Sequence, residues 1–202
     1  MTLAGGGRAL VVGQKSGVVH AVDPDQKGKI LWQTRLGKGG ALGGVMWGSA
    51  ADRQNVYVAN SDVAFVAGGG RGLVLDPKAG GGLFALDLKT GKIRFKVPPS
   101  DCGDRKQCSP AQAAAVTAIP GVVFSGGVSG YLRAYATRDG SLLWEVDTTQ
   151  DYITVNGVKG KGGAMEGPGP TVVEGMLYVN SGYGSWGGIA GNVLLAFSVD
   201  GK

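Results

Sequence analysis

The sequence is poor in charge and lacks any long apolar run. Charged residues make up 17% of the chain, and the 20 lysines and arginines are scattered singly, a pattern that does not favour nucleic-acid binding. No apolar stretch approaches the ~20 residues of a membrane-spanning helix. The opening residues, MTLAGGGRALVV, hold no apolar core of signal-peptide length. We therefore expect either a cytosolic protein or a native start upstream of Met1.

Histidine, cysteine and helical periodicity are also scarce. The chain has one histidine, His20, and two cysteines, with no Cys-x-x-Cys-His haem motif and no second cysteine pair to support a zinc site. No segment keeps a 3.6-residue apolar period for ten residues between plausible caps, so no helix is predicted. The segment GYGSWG at 182–187 has the spacing of a dinucleotide-binding loop. We reject that interpretation because no helix follows it.

Glycine is the residue present in excess. It accounts for 39 of 202 positions, against a usual ~7%, and it has no three-residue period, which excludes collagen. Hydrophobic residues make up 43% of the chain, as in a globular protein. Short alternating runs of Val, Tyr, Leu and Phe lie between the glycines, and this pattern predicts an all-β fold of many short antiparallel strands.

One unit occurs four times, roughly 50 to 65 residues apart. It has an alanine in a strand, then a turn glycine, then an aromatic in the next strand. The alanines are Ala21, Ala85, Ala134 and Ala196, and the glycines are Gly28, Gly91, Gly140 and Gly201. The aromatics of the three complete copies are Trp32, Phe95 and Trp144. Repeats of this period are typical of propellers and other arrays.

The repeat predicts a β-propeller with about four strands in each blade. Residues 1–202 would form one partial propeller domain, with blades that end near Trp32, Phe95 and Trp144 and an incomplete blade at 192–202. Each blade must bury both faces of its sheet against neighbours. The aromatic at the end of each copy is expected to pack between adjacent sheets, where it buries a large flat area.

The stretches AVDPDQKGKILW, ALDLKTGKIRF and AYATRDGSLLW resemble the tryptophan-docking repeat of PQQ-dependent quinoprotein alcohol dehydrogenases. Longer stretches, among them AAAVTAIPGVVFSGGVSGYLRAY and GPGPTVVEGMLYVNSGYG, resemble most closely the polyvinyl-alcohol-dehydrogenase-like members. The resemblance runs nearly end to end. It implies an eight-bladed quinoprotein propeller, of which this chain would be the C-terminal half. A four-bladed ring closed on itself is the alternative architecture.

The resemblance also implies a chemistry. Such enzymes oxidise a primary, secondary or polymeric alcohol by hydride transfer to pyrroloquinoline quinone (PQQ), with a bound calcium ion and an aspartate base. Family order puts the base, the calcium ligands and an adjacent-cysteine disulfide upstream of Met1, so we assign no catalytic residue or metal ligand here. We expect the isolated chain to be inactive, and the family to be periplasmic with an electron acceptor such as a c-type cytochrome. A non-enzymatic PQQ-repeat scaffold for protein–protein binding is the rival function.

Two residues are candidates for cofactor binding on this resemblance. Lys15 lies in GQKSG, a turn where similar quinoproteins carry a lysine or arginine. A cation there would hold the quinone carboxylates and stabilise charge on the reduced carbonyl; a solvated turn lysine is the alternative. Trp47 starts a blade near the central channel, and its indole is either a wall against the cofactor or a packing residue. Relatives often carry an amide next to this tryptophan, where this chain has Met46.

Two carboxylates and two cysteines complete the candidates. Asp62 and Glu166 could face the channel mouth, with turn capping and a solvated loop as the alternatives, and one carboxylate alone does not make a calcium site. Cys102 and Cys108 lie in one polar loop. They fit a disulfide that pins a long connection between blades, with free thiols as the alternative. Such a disulfide would indicate an oxidising compartment.

Overall fold

The computed structural model describes residues 1, 3, 6–68, 72–184 and 186–200. Their regular secondary structure consists of strands alone, as the sequence predicted. The part of the chain that the structure describes contains no helical segment with the length and hydropathy of a membrane span. The repeat glycine Gly201, and with it the end of the predicted blade at 192–202, lies outside the described residues.

Four antiparallel sheets follow one another along the chain, and we call them blades A to D. Blade A contains β1 (Leu10–Gly13), β2 (Val18–Asp23) and β3 (Lys29–Arg35). Blade B contains β4 (Ala50–Ala51), β5 (Asn55–Asn60), β8 (Gly82–Asp87) and β9 (Ile93–Val97), with the hairpin β6 (Phe65–Ala67) and β7 (Leu73–Leu75) inserted between β5 and β8. Blade C contains β10 (Thr117–Ile119), β11 (Val122–Gly126), β12 (Tyr131–Ala136) and β13 (Leu142–Asp147). After the hairpin β14 (Asp151–Ile153) and β15 (Lys159–Lys161), blade D contains β16 (Thr171–Val173), β17 (Met176–Ser181) and β18 (Val193–Ser198).

The first strands of successive blades lie side by side, since β10 contacts both β4 and β16. This is the arrangement of propeller blades around an axis, and it agrees with the partial propeller predicted from the repeat. Blades A and D have three strands each among the described residues, where the repeat predicted about four. In blade A the backbones of Met1 and Ala9 pair in both directions, at 2.8 and 2.9 Å. This short pairing stands where blades B and C have a first strand.

The repeat alanine has the same cross-strand neighbours in each complete copy. Ala21 pairs with Trp32, Ala85 with Phe95 and Ala134 with Trp144. In all three sheets the register shifts directly after the alanine, so that one residue of the last strand is left unpaired. A β-bulge of this kind bends the strand and re-aims its side chains.

Two of the three repeat aromatics, Trp32 and Phe95, pack against the next blade at its turn glycine. The indole nitrogen of Trp32 donates to the carbonyl of Leu88 at 3.0 Å, and a Cβ added at Gly91 would lie only 2.5 Å from Cδ2 of the ring. Phe95 lies on Gly140 in the same way, 2.6 Å from such a Cβ. Only a glycine leaves room for the ring at these two turns. The turn glycine is therefore part of the interface between blades.

The two ends of the sheets differ. At one end, which we call the turn end, the strands are joined by connections of two to five residues, for example 52–54 and 120–121. All the long connections lie at the other end, which we call the loop end: 36–49, 61–81, 98–116, 148–170 and 182–192. Backbone hydrogen bonds join these connections to one another, through the pairs Gly44–Ser61, Ala113–Gly167 and Ala164–Gly182. The loop end is therefore one continuous surface.

Candidate functional site

All the side chains singled out from the sequence lie at the loop end. Lys15 is in the turn between β1 and β2, Trp47 and Asp62 are in the connections on either side of β4 and β5, and Glu166 precedes β16. The sequence spreads these residues over 150 positions, and the up-and-down order of the strands collects them at one end. Loops at one end of a rigid scaffold are a common place for binding sites.

Asp62 anchors the glycine-rich loop between blades A and B. Its carboxylate accepts hydrogen bonds from the backbone amides of Lys38, Gly39 and Gly44 at 2.9–3.0 Å and from the side-chain amide of Asn60 at 2.9 Å. Partial burial opposes ionisation, but the hydrogen bonds from Gly44, Asn60, Lys38 and Gly39 outweigh it and hold the pKa of Asp62 below its usual range. Because four N–H donors already occupy this carboxylate, it shapes the loop and is poorly placed to bind a cation.

Lys15 contacts the same loop through its backbone. Its carbonyl accepts the amide of Gly40 at 2.9 Å, while its side chain is exposed. The ion pairs found among the described residues do not include Lys15. The ammonium group is therefore available to an anion at the loop end, beside the segment that Asp62 holds.

Trp47 offers a flat apolar surface. A Cβ added at Gly167 would lie 3.4 Å from Cζ2 of the indole, and the φ of Gly167 is 103°. Gly48, which follows Trp47, is held in place because its carbonyl accepts a hydrogen bond from the backbone amide of Val116 at 3.1 Å. The side chain of Trp47 is nevertheless 48% exposed. A half-exposed indole seated on a glycine is suited to stack with a planar ligand.

Glu166 lies directly before Gly167 but is only 8% exposed. The 182–191 loop covers it, so that a Cβ added at Gly188 would lie 3.1 Å from Oε1 and one at Gly184 would lie 3.6 Å away. Glu166 is thus not a solvated loop carboxylate. It adjoins Gly167 in the chain and lies close to Gly184 and Gly188 of the last long connection.

The connection between blades B and C is held by groups that sequence reasoning found only in part. Cys102 and Cys108 are joined by a disulfide, with an S–S distance of 2.09 Å. Arg105, inside the disulfide loop, donates to the carbonyl of Ser129 at 2.6 Å and pairs with Asp147 at 2.5 Å. Arg105 was missed, and its one sequence signal is an arginine enclosed by the two cysteines of CGDRKQC.

The guanidinium of Arg105 also lies over the ring of Tyr131, 4.6 Å from its centroid. Partial burial opposes ionisation of Asp147, but hydrogen bonds from Thr149 and Arg105 outweigh it and hold the pKa of Asp147 below its usual range. The disulfide and the arginine together fix the B–C connection to blade C.

The resemblance implies two cofactors, PQQ and calcium, and the side chains at the loop end suit the first but not the second. The described residues contain no group of three or more His, Cys, Asp or Glu side chains that could hold a metal ion, and calcium takes six to eight oxygens. The part of the chain that the structure describes therefore does not supply a calcium site by itself. A planar tricarboxylate such as PQQ does fit the chemistry present, since Trp47 supplies an open flat face and Lys15 a cation.

Comparison with known proteins places this geometry in a family. The family profile described as "Outer membrane protein assembly factor BamB" matches residues 15–101 and 85–202. A polyvinylalcohol dehydrogenase from Pseudomonas sp is 46% identical over all of this chain, and one from Sphingopyxis sp. (strain 113P3) is 41% identical over 99% of it. The chain spans about a third of the length of these relatives, 32% in each case.

Solved structures with the same fold include an enzyme and an assembly factor. The quinohemoprotein alcohol dehydrogenase from Comamonas testosteroni matches 99% of this chain and 33% of its own, with a TM-score of 0.58 and 21% identity. BamB from Moraxella catarrhalis matches all of this chain and 50% of its own, with a TM-score of 0.62 and 19% identity. Both confirm the fold. The family model, which matches most of the chain, shows that the chain belongs to the PQQ-repeat β-propeller family, and the similarity to polyvinylalcohol dehydrogenases that the repeat motifs indicated is confirmed at 41–46% identity over the whole chain.

Proposed function

We propose that this chain forms part of the cofactor-binding end of a PQQ-dependent dehydrogenase that oxidises an alcohol, a polymeric alcohol included. The observation that carries the proposal is the half-exposed indole of Trp47, at the same end of the sheets as the exposed ammonium of Lys15. The named function of the two sequence relatives supports it. When bound, PQQ would supply the electrophilic carbonyl that accepts the hydride.

The residues of this chain would bind and orient the cofactor. Trp47 would stack on the tricyclic ring, with Gly167 behind the indole. Lys15 would pair with a carboxylate or carbonyl oxygen of the quinone. Asp62 would hold the loop beside Lys15 at its present position through three backbone amides. Calcium and the proton-accepting carboxylate belong to the proposal for the whole enzyme and would come from residues outside this chain.

Lys15→Ala should weaken PQQ binding about 10-fold or more, because a hydrogen bond to a charged group contributes ~1.5–3 kcal/mol and 1.4 kcal/mol is one decade in Kd. The measurement is a titration of the chain with PQQ in the presence of calcium, followed by absorbance. Lys29→Ala is the matched control, since Lys29 is an exposed lysine at the turn end. Absence of PQQ binding by the unaltered chain, or equal binding by the Lys15 variant, would remove the cofactor assignment.

The isolated chain should show no turnover of polyvinyl alcohol or of a simple secondary alcohol with PQQ, calcium and an artificial electron acceptor. The reason is that its described residues provide no calcium donor set, and that Glu166, the carboxylate next to the Trp47–Gly167 contact, is only 8% exposed and lies close to Gly184 and Gly188. Dye reduction that depends on both the chain and the alcohol would contradict this expectation.

A non-enzymatic scaffold is the second candidate function. It is favoured by the family description and by the fold match with BamB from Moraxella catarrhalis. The PQQ titration separates the two functions, since a scaffold has no need of the Lys15 ammonium or the Trp47 face. Failure of PQQ to bind would leave the scaffold as the better proposal.

The proposed setting is the periplasm, with a c-type cytochrome as one suitable electron acceptor. The Cys102–Cys108 disulfide supports an oxidising compartment. Localisation of the full-length protein by cell fractionation tests this part independently of PQQ binding.

A further inference from the structure

The flat surface at Trp47 is assembled from two separate connections. The indole comes from connection 36–49, while Gly167, on which it is seated, comes from connection 148–170. Residues 113–116, at the end of the B–C connection, are hydrogen-bonded to both, and we call them the junction segment. The position of the indole on its glycine therefore depends on where the junction segment lies.

Backbone hydrogen bonds tie the junction segment to both connections. They run from the amide of Val116 to the carbonyl of Gly48, from the amide of Gly167 to the carbonyl of Ala113, and from the amide of Ala115 to the carbonyl of Gly167, at 3.1, 3.2 and 3.0 Å. The side chains of the junction segment are three alanines and a valine, which make no hydrogen bonds of their own. Its position is therefore set by its backbone and by the chain on either side of it.

The junction segment is flanked by β10 on one side and by Cys108 on the other. β10 begins directly after it, at Thr117, as the first strand of blade C. Only residues 109–112 separate it from Cys108, and all four are buried. Within this stretch the carbonyl of Ala111 accepts the amide of Val128 at 3.0 Å. A displacement of Cys108 would thus reach the junction segment through a short buried stretch of chain.

The disulfide loop, residues 102–108, is anchored to blade C by Arg105. The guanidinium pairs with Asp147 at 2.5 Å and donates to the carbonyl of Ser129 at 2.6 Å. The disulfide carries this anchor to Cys108, because a short closed loop has far fewer conformations than an open chain of the same length. The start of the buried stretch is therefore fixed relative to blade C.

We infer that Cys102, Cys108 and Arg105 are positioning residues for the cofactor face of Trp47, so that loss of the disulfide or of the arginine weakens PQQ binding. None of the three belongs to the proposed contact with PQQ, and each acts through the junction segment. The inference deepens the proposed function and rests on it for the identity of the ligand.

A PQQ titration of the Cys102→Ser/Cys108→Ser double variant tests the effect on binding. We expect its Kd to rise about 5-fold or more, as is typical of coupling between linked sites. Both sulfurs are replaced because a free thiol would react with the quinone. Arg105→Ala should raise the Kd with the disulfide intact. Arg133→Ala is the matched control and should leave the Kd unchanged, since Arg133 lies over the same Tyr131 ring, 4.7 Å from its centroid, but on β12 and outside the B–C connection.

Amide hydrogen exchange and tryptophan fluorescence, both without PQQ, test the positioning directly. In the double variant, exchange at Ala115, Val116 and Gly167 should accelerate more than exchange in β2 of blade A, because the loosening is local. Trp47 emission is obtained as the difference between each protein and its Trp47→Phe counterpart. It should shift to longer wavelength as the indole leaves its glycine and meets more water.

The two kinds of measurement separate the positioning role from the proposed function. Acceleration by the same factor in every blade would mean that the disulfide only stabilises the fold, and would overturn the inference, as would an unchanged Kd in both variants. If the double variant does not fold, Arg105→Ala carries all the measurements. If the unaltered chain does not bind PQQ, the proposed function fails, while the exchange and emission results still decide whether the disulfide loop positions the indole.

Discussion

Gly91→Ala should lower the free energy of unfolding by about 2 to 5 kcal/mol, far more than the same change at Gly28. Both glycines occupy the turn after the repeat alanine with nearly the same backbone, φ of 70° and 77°. An alanine at either position pays about 1 to 2 kcal/mol for the left-handed conformation. At Gly91 the new methyl group also meets the indole of Trp32, and overpacking a core typically costs a further 1–3 kcal/mol.

Gly28→Ala is the matched control because no atom lies within 4 Å of its added Cβ. Urea unfolding of the two variants and the unaltered chain measures the difference, with the m-value as a check that unfolding stays cooperative. Equal losses at the two glycines would show that the aromatic does not depend on the glycine surface, and would refute the packing account of the repeat.

Asp62→Ala should destabilise the loop end by about 2 to 3 kcal/mol and should also weaken PQQ binding. The carboxylate satisfies three backbone amides and one side-chain amide, and a buried donor left without its acceptor costs about 1–3 kcal/mol. The total stays at about 2 to 3 kcal/mol because solvent reaches part of this group and can hydrogen-bond to most of the freed amides. Asp76→Ala is the control within the same connection, since the Asp76 carboxylate accepts a hydrogen bond from the backbone amide of Lys78 alone, at 2.8 Å, among the side-chain hydrogen bonds of the described residues.

Asp62 should also make the stability of the folded chain depend on pH, in a direction that its pKa determines. The pKa of Asp62 is lower in the folded chain than in the unfolded chain, so ionisation favours folding. Its contribution is fully present above the ordinary aspartate pKa of about 3.9 and is lost as the pH falls through the lower folded pKa. The stability difference between the unaltered chain and Asp62→Ala should therefore shrink below about pH 4. A difference that grows on acidification would contradict the anchoring role.

The fold was accessible from the sequence because the repeat couples local and long-range structure. Alternating residues mark the strands, and the recurring alanine, glycine and aromatic mark the contact between blades, as at Ala21, Gly91 and Trp32. Two features of the fold were not predicted from the sequence. The three-strand form of blades A and D was not visible, and neither was the partner of each aromatic, because a turn glycine looks the same whether or not a ring lies on it.

The candidate site residues were chosen from the family resemblance, which put Lys15 in a turn between two strands and Trp47 at the start of a blade. Both residues hold those positions in the fold, while their role in cofactor binding stays a prediction. The four donors around Asp62 and the loop over Glu166 come from segments far apart in sequence, and glycine-rich segments carry no pattern that predicts their path. The contacts of Arg105 depend on how the disulfide-bonded loop 102–108 packs against blade C. The spacing of the two cysteines in the sequence does not determine that packing.

The unequal lengths of the repeat units have an evolutionary consequence. Units differ in length mainly because their connections at the loop end differ, while the sheets and the turn end stay nearly constant. Insertions can therefore accumulate on one side of the molecule without disturbing the aromatic contacts that hold it together. The binding specificity of such proteins can therefore change while the stable scaffold is kept. Enzymes and assembly factors can in this way descend from one repeat.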